Sequence, residues 1–234
     1  MLTGIVVALR EELPTLTQQR LVKGQVSKLN ETTLITYSGA GDNNARSAAN
    51  LLLSSGATQL ISWGCAAALN PKLKSGDLVL ATAIISLDNP SIRINNAWHN
   101  SVNHLLADKL TVHHGELLSS KVLINTCSEK QHLFENTKAI ALDMESYAIA
   151  EVARNNNIPF LAIRVIADTA TMALPKAVSY SLNSDGEVQL LKLLSYLLRH
   201  PNEISKLIKL GNSFSRAKKS LLVIAKINNI GEFR

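Results

Sequence analysis

Ala141-Leu142-Asp143-Met144-Glu145-Ser146-Tyr147-Ala148-Ile149-Ala150-Glu151-Val152-Ala153-Arg154 leads through a short turn into Ile158-Pro159-Phe160-Leu161-Ala162-Ile163-Arg164-Val165-Ile166-Ala167-Asp168. The first part predicts a helix. Glu145 begins a line with Ala148, Ile149 and Val152, the i, i+3, i+4, i+7 spacing of a face turned to a core. The second part predicts a buried strand, since Phe160–Ala167 is apolar except for Arg164. Two carboxylates therefore stand where burial disfavours charge: Glu145 on the helix face and Asp168 at the strand end. A buried acid is paired, holds a proton, or binds something. A Glu145–Arg164 ion pair and a functional site both satisfy that rule.

Working outward, strands and helices alternate. Thr3–Leu9 predicts a buried strand, followed by Arg10-Glu11-Glu12, where acids also suit the first turn of a helix. Residues 21–29 and 32–37 predict a strand pair around Asn30-Glu31. The turn Ser38-Gly39-Ala40-Gly41 then leads into a helix closed by Gly56. Such a turn offers backbone N–H groups to an anion, and Arg46 adds charge nearby; many such turns only connect. Thr58–Ser62 predicts a third strand with a small-residue loop, Trp63–Ala68, after it. Gly76–Ser86 and Gly115–Ser119 predict strands, with a polar irregular stretch over 88–100 and a helix over Ser101–Leu110 between them. Ser128 is expected to cap a short helix, and Lys138–Leu142 to form a strand. A loop is expected over 171–186, with a turn at Asn183–Gly186. Helix follows over Glu187–Ile227, broken at Pro201 and near Gly211. The class implied is α/β: a three-layer αβα sandwich with a mixed, largely parallel central sheet. Ligands in such folds bind beyond the carboxyl ends of strands. Glu11, Glu12, the glycine turn, the Trp63–Ala68 loop and Asp168 all fall at such ends.

Charge is uneven along the 234 residues. Residues 1–198 hold 16 basic and 16 acidic residues, while 199–234 hold 8 and 2, which accounts for the whole net +6. This sets a neutral catalytic domain, 1–198, apart from a basic helical extension, 199–234, expected to pack on it. A nucleic-acid groove on the main body is disfavoured. Cys65 and Cys127 are distant and form no CxxC, and His113-His114 lack zinc-site spacing, so neither a metal nor a disulfide framework is expected. No leader segment is apparent and no apolar run nears ~20 residues, so the expectation is a cytoplasmic protein. Residues 199–228 interleave leucines and isoleucines with lysines. They suit either an ordinary packed helix pair or peripheral contact with an anionic inner membrane.

Five segments carry a resemblance: GIVVALREE (4–12), SGAGDNNA (38–45), LKSGDLVL (73–80), ALDMESYAIAEVA (141–153) and IPFLAIRVIAD (158–168). Together they resemble the nucleoside phosphorylase superfamily, in particular its methylthioadenosine/adenosylhomocysteine nucleosidase branch. Residues 173–222 are similar to a hopanoid-associated phosphorylase subgroup thought to release adenine from adenosylhopane. The resemblance implies N-glycosidic cleavage with no cofactor, inorganic phosphate being a possible co-substrate. It makes Asp168 the acid that protonates adenine N7 and Glu145, beside Met144, the ribose binder. Glu12, or Glu11 one residue earlier, becomes the base that activates water. If phosphate is the nucleophile, Gly39, Gly41 and Arg46, with Arg10 as a further cation, are its binders. Cys65 and Leu123 line the substrate. A small or lipid-linked nucleoside and further copies of the chain are the implied partners.

The chain departs from the nucleosidases in three places. Ala167 replaces a serine before the catalytic acid. Gly64-Cys65-Ala66-Ala67-Ala68 replaces a Gly-Ser-Ala-Gly-Gly loop. Leu123 stands where a phenylalanine stacks on the base. Two further readings stay open: a non-catalytic nucleoside binder, and a membrane or nucleic-acid adaptor resting on the basic tail alone.

Overall fold

The computed structural model describes residues 1–94, 97–183 and 188–227. Its strands and helices run β1 (Thr3–Val7), β2 (Val26–Asn30), β3 (Thr33–Tyr37), α1 (Asp42–Ser54), β4 (Gln59–Ala68), β5 (Leu78–Ile85), β6 (Ile92–Arg93), α2 (Ala97–Ala107) and β7 (Val112–Ser119). They continue with α3 (Cys127–Thr137), β8 (Ala141–Asp143), α4 (Ser146–Asn155), β9 (Phe160–Asp168), α5 (Lys176–Ser181), α6 (Leu190–Arg199) and α7 (Glu203–Ile227).

The class is α/β with a mixed sheet. β1 lies between β3 and β4, parallel to both, and β4 and β9 are parallel. β5 runs antiparallel to β9 but parallel to β7, and β8 then joins β7 back to the end of β4. These pairings close a ring, β4-β9-β5-β7-β8, so the middle of the sheet curls on itself. α1 and α4 pack together against the sheet, and α7 packs on β4 and β9. Ala217, Leu221 and Ile224 of α7 enter the same core as β1, β4 and β9. The charge change near residue 198 is thus not accompanied by a break in the core.

Several elements differ from expectation. β4 continues through Trp63–Ala68 where a loop was expected, because β9 and then β8 supply backbone partners. The small side chains let those neighbours approach. Thr126, not Ser128, caps α3. Its Oγ1 accepts from Glu129 N–H at 3.2 Å while Glu129 accepts from Thr126 N–H at 2.9 Å, a reciprocal capping box. α2 begins at Ala97, within the stretch expected to be irregular, and β8 begins only at Ala141 because Lys138 takes a left-handed backbone. β2 starts at Val26 rather than at residue 21. Residues 171–186 include α5. α7 passes through Gly211 unbroken: glycine weakens a helix without stopping one that is packed along its length. The turn expected at Asn183–Gly186 falls mostly outside the described residues.

Candidate active site

β1 ends and the chain enters a tight helical turn, Arg10–Thr15. Trp63 Nε1 donates to Thr15 Oγ1 at 3.0 Å, and that hydroxyl donates to the Glu12 carbonyl at 2.6 Å. This chain of bonds fixes the turn and sends the Glu12 side chain inward, while Glu11 stays exposed at the cavity wall. Glu12 accepts from Cys65 N–H at 2.7 Å. It fills the place a side chain would take at residue 64. A Cβ on Gly64, whose φ is +152°, would lie 2.5 Å from Glu12 Oε2 and 2.7 Å from Arg164 Nη1. Gly64→Ala is therefore expected to cost more than about 1 kcal/mol by overpacking. Thermal melting of the variant against the parent checks this.

Burial pushes the Glu12 carboxyl up to about 7, against the opposing pull of Arg164 and the Cys65 N–H. A carboxyl poised there exchanges a proton near neutral pH.

Arg164 organises the interior. Its Nη2 donates to Ser62 Oγ at 2.6 Å and meets Asp143 Oδ2 at 2.9 Å, while Glu145 stands farther off at 3.7 Å. The principal ion pair is thus Arg164–Asp143, which the sequence reading missed in favour of Glu145. Asp143 also accepts from the N–H groups that open α4, Glu145 at 3.4 Å and Ser146 at 3.2 Å. An acid three residues before the first helical residue, Ser146, was the available signal.

Glu145 sits at the N-cap of α4 rather than along its apolar face. Its Oε1 accepts from Gly41 N–H at 2.9 Å. Burial raises its carboxyl above the ordinary range, with Arg164 opposing. The anion cradle of the glycine turn is therefore occupied by the protein's own carboxylate. Gly39 adopts a φ of +79°, and the Lys23 side chain fills the space where its Cβ would be. Arg46 is committed elsewhere, to Glu151 at 2.5 Å and Asp42 at 3.3 Å, lining a separate small cleft with Met144. Arg10 lies over the Tyr37 ring at 5.8 Å. The group expected to bind phosphate does not converge: Gly41 and Arg46 hold protein acids, and Gly39 faces Lys23.

Asp168 closes β9 at a bulge. Ala66 pairs with Ile166, but Ala67 pairs with Asp168, leaving Ala167 as the extra residue. Bulges re-aim side chains beside active sites. Asp168 Oδ2 meets Lys130 Nζ at 2.5 Å, and Lys130 is fully buried. The same ammonium donates to the carbonyls of Thr169 at 3.1 Å and Met172 at 2.8 Å. Asp168 Oδ1 is buried and, among the described residues, has no hydrogen-bond partner. Burial raises the Asp168 carboxyl and Lys130 pulls against it, with burial dominant. Lys130 is a second residue the sequence reading missed: its neighbours Glu129, Gln131 and His132 give that helix a solvent-facing look. Removing one partner of a buried ion pair typically costs 3–5 kcal/mol. Lys130→Met is therefore expected to lower stability by roughly that amount, measured by denaturant melting, and Lys130→Met with Asp168→Asn should recover part of it.

Glu12, Glu145, Arg164 and Asp168 line one cavity of about 510 Å³. Cys65, Met144 and Leu123 line it too. Its remaining wall is apolar, built by Val178, Leu182, Val188, Leu207, Leu210 and Phe214 from the C-terminal third. Among the described residues, no cluster of three or more His, Cys, Asp or Glu is arranged to hold a metal ion.

The chain joins an α/β fold to buried acids that line one cavity. The profile of the Phosphorylase superfamily matches residues 3–190, and the chain belongs to that family. Within it, the chain is 26% identical over 210 residues to a 5′-methylthioadenosine/S-adenosylhomocysteine nucleosidase of Buchnera aphidicola, covering 77% of this chain and 83% of that one. Two solved structures share the fold at lower identity. The futalosine hydrolase of Helicobacter pylori superposes with a TM-score of 0.71 at 16% identity, over 96% of this chain and 95% of the other. An S-adenosylhomocysteine nucleosidase of Streptococcus pyogenes, solved with 5-methylthiotubericidin, gives 0.71 at 17% identity, over 97% and 95%.

Proposed function

We propose that this chain hydrolyses the N-glycosidic bond of an adenine nucleoside with a bulky apolar 5′ substituent, adenosylhopane being the substrate favoured. The observation that carries the reading is Asp168 Oδ1, a buried carboxylate oxygen without a partner among the described residues, in the cavity shared with Glu12 and Glu145. Adenine leaves C1′ readily only if N7 gains a proton as the bond breaks. Asp168, raised by burial, is suited to give it. Glu145 accepts from the ribose hydroxyls, and its charge favours the cationic sugar of the transition state. Glu12 takes a proton from water as the water oxygen bonds to C1′. The C1′–N9 bonding electrons leave with adenine, and the sugar keeps the new hydroxyl.

Water is favoured over phosphate for two reasons. Gly41 and Arg46 are occupied by Glu145, Glu151 and Asp42. Glu12 stands at a proton affinity fit for a general base. Relatives named as nucleosidases and as a hydrolase support the same choice. The apolar wall favours a large 5′ group, and Leu123 offers no ring to stack on the base. The alternative is a methylthioadenosine/adenosylhomocysteine nucleosidase, supported by the curated relatives. Comparing kcat/KM for adenine release from adenosylhopane and from methylthioadenosine decides between them. A clear preference for adenosylhopane is expected; preference for methylthioadenosine would give the reading to the alternative. Adenine binding without turnover of either would make the chain a non-catalytic binder.

A further inference from the structure

Among the described residues, the most exposed cluster of apolar side chains lies on α6, not on the basic stretch that follows it. Leu191 and Leu198 are 84% and 86% exposed, and Leu190 and Leu194 are 69% and 57% exposed. On a helix of 3.6 residues per turn these four fall within one face, Ser195 flanks it beside Leu191, and Lys192 and Arg199 lie farther round the helix. Leu193, Tyr196 and Leu197 are half-buried, and Tyr196 packs on Tyr180 of α5 with ring centroids 5.1 Å apart. The helix is thus held to the body by one edge, with no residue of it buried. The 199–228 stretch is different. Leu207 and Leu210 face the cavity and Leu221 and Ile224 are core; Ile204, Ile208, Leu222 and Val223 are exposed, but each less than Leu190, Leu191 and Leu198.

We propose that α6 is a docking helix that seats Leu190, Leu191, Leu194 and Leu198 in the interfacial zone of an anionic lipid bilayer. Two observations choose this occupant. The first is charge: α6 and the start of α7 carry Lys192, Arg199, Lys206 and Lys209 against the acid Glu203. An apolar face with basic residues around it is the signature of an interfacial helix, and anionic leaflets attract such segments. The second is continuity with the cavity. Leu182 and Val188, which bridge to each other just before α6, and Leu207 and Leu210, just after it, all line the cavity. The docked face would lie next to the apolar wall. A second copy of the chain fits less well. A ten-residue helix offers a footprint of roughly 15 by 10 Å, far below the ~800 Å² per partner of a stable interface.

The inference stands apart from the choice of substrate, since it concerns the surface and not the chemistry. Its test is co-sedimentation of the full chain with phosphatidylglycerol–phosphatidylcholine vesicles, with phosphatidylcholine vesicles alone, and without lipid. The comparison variant is Leu191→Ser/Leu194→Ser/Leu198→Ser, whose positions are exposed and whose melting temperature should match the parent. The parent is expected to bind the anionic vesicles at least about tenfold more strongly than the variant, and less as salt rises. Absence of binding to any vesicle, or equal binding by parent and variant, would overturn the proposal. So would a parent dimer that the triple change turns into monomers while vesicle binding stays the same; that outcome would assign the face to a second copy.

Discussion

Asp168→Asn is expected to lower kcat/KM for adenine release by about 10²–10⁴-fold, the usual worth of a positioned general acid. The amide is isosteric and its oxygen still accepts from Lys130, so the β9 bulge should persist in the folded variant, although losing the buried ion pair should lower its stability. Affinity for an uncleaved adenine nucleoside should change little, because the lost interaction belongs to bond breaking. Kinetics and calorimetric binding read the two separately. A purely structural Asp168, serving only as the counter-ion of Lys130, would give a different pattern. The folded variant would then turn over at the parental rate, whatever its melting temperature.

Glu12→Gln should act on activity and stability in opposite directions. As the base that takes a proton from water, Glu12 should account for a rate factor of about 10²–10⁴, and kcat/KM of the parent should rise with pH through about 7 as Glu12 ionises. The folded protein holds this proton more tightly than the unfolded chain, whose ordinary value is 4.5. Between those values the native state binds more protons, so stability contributed by protonated Glu12 is present below 4.5 and is lost as pH rises through about 7. The displacement corresponds to roughly 3 kcal/mol in a fully buried group. A neutral amide escapes that loss. Glu12→Gln is expected to melt higher than the parent at pH 8 and at nearly the same temperature at pH 4, while being close to inactive at both. Equal melting at every pH would mean that Glu12 is not held as a buried charge.

The main lines of this structure were legible because burial leaves marks in sequence. The β-branched run of β1, the apolar run of β9 and the glycine closing α1 each follow from local chemistry, and the two misplaced acids, Glu145 and Asp168, could be read from the same patterns. What escaped depends on contacts distant in the chain. β4 extends through Gly64–Ala68 only because β9 and β8 lie beside it; five small residues in isolation look like a loop. Lys130 looks like a surface residue among polar neighbours, yet its ammonium reaches Asp168, Thr169 and Met172. Arg164 needed an acid, and spacing alone did not choose Asp143 over Glu145. The glycine turn carried the pattern of an anion site, and the anion it meets is Glu145.

Adenine release in phosphate-free buffer, with the sugar product identified, tests the central claim most directly. The expected result is adenine together with free sugar bearing a new C1′ hydroxyl, at a rate unchanged by added phosphate and lowered by about 10²–10⁴-fold in both Asp168→Asn and Glu12→Gln. Release that begins only when phosphate is supplied, with a sugar 1-phosphate as product, would contradict it.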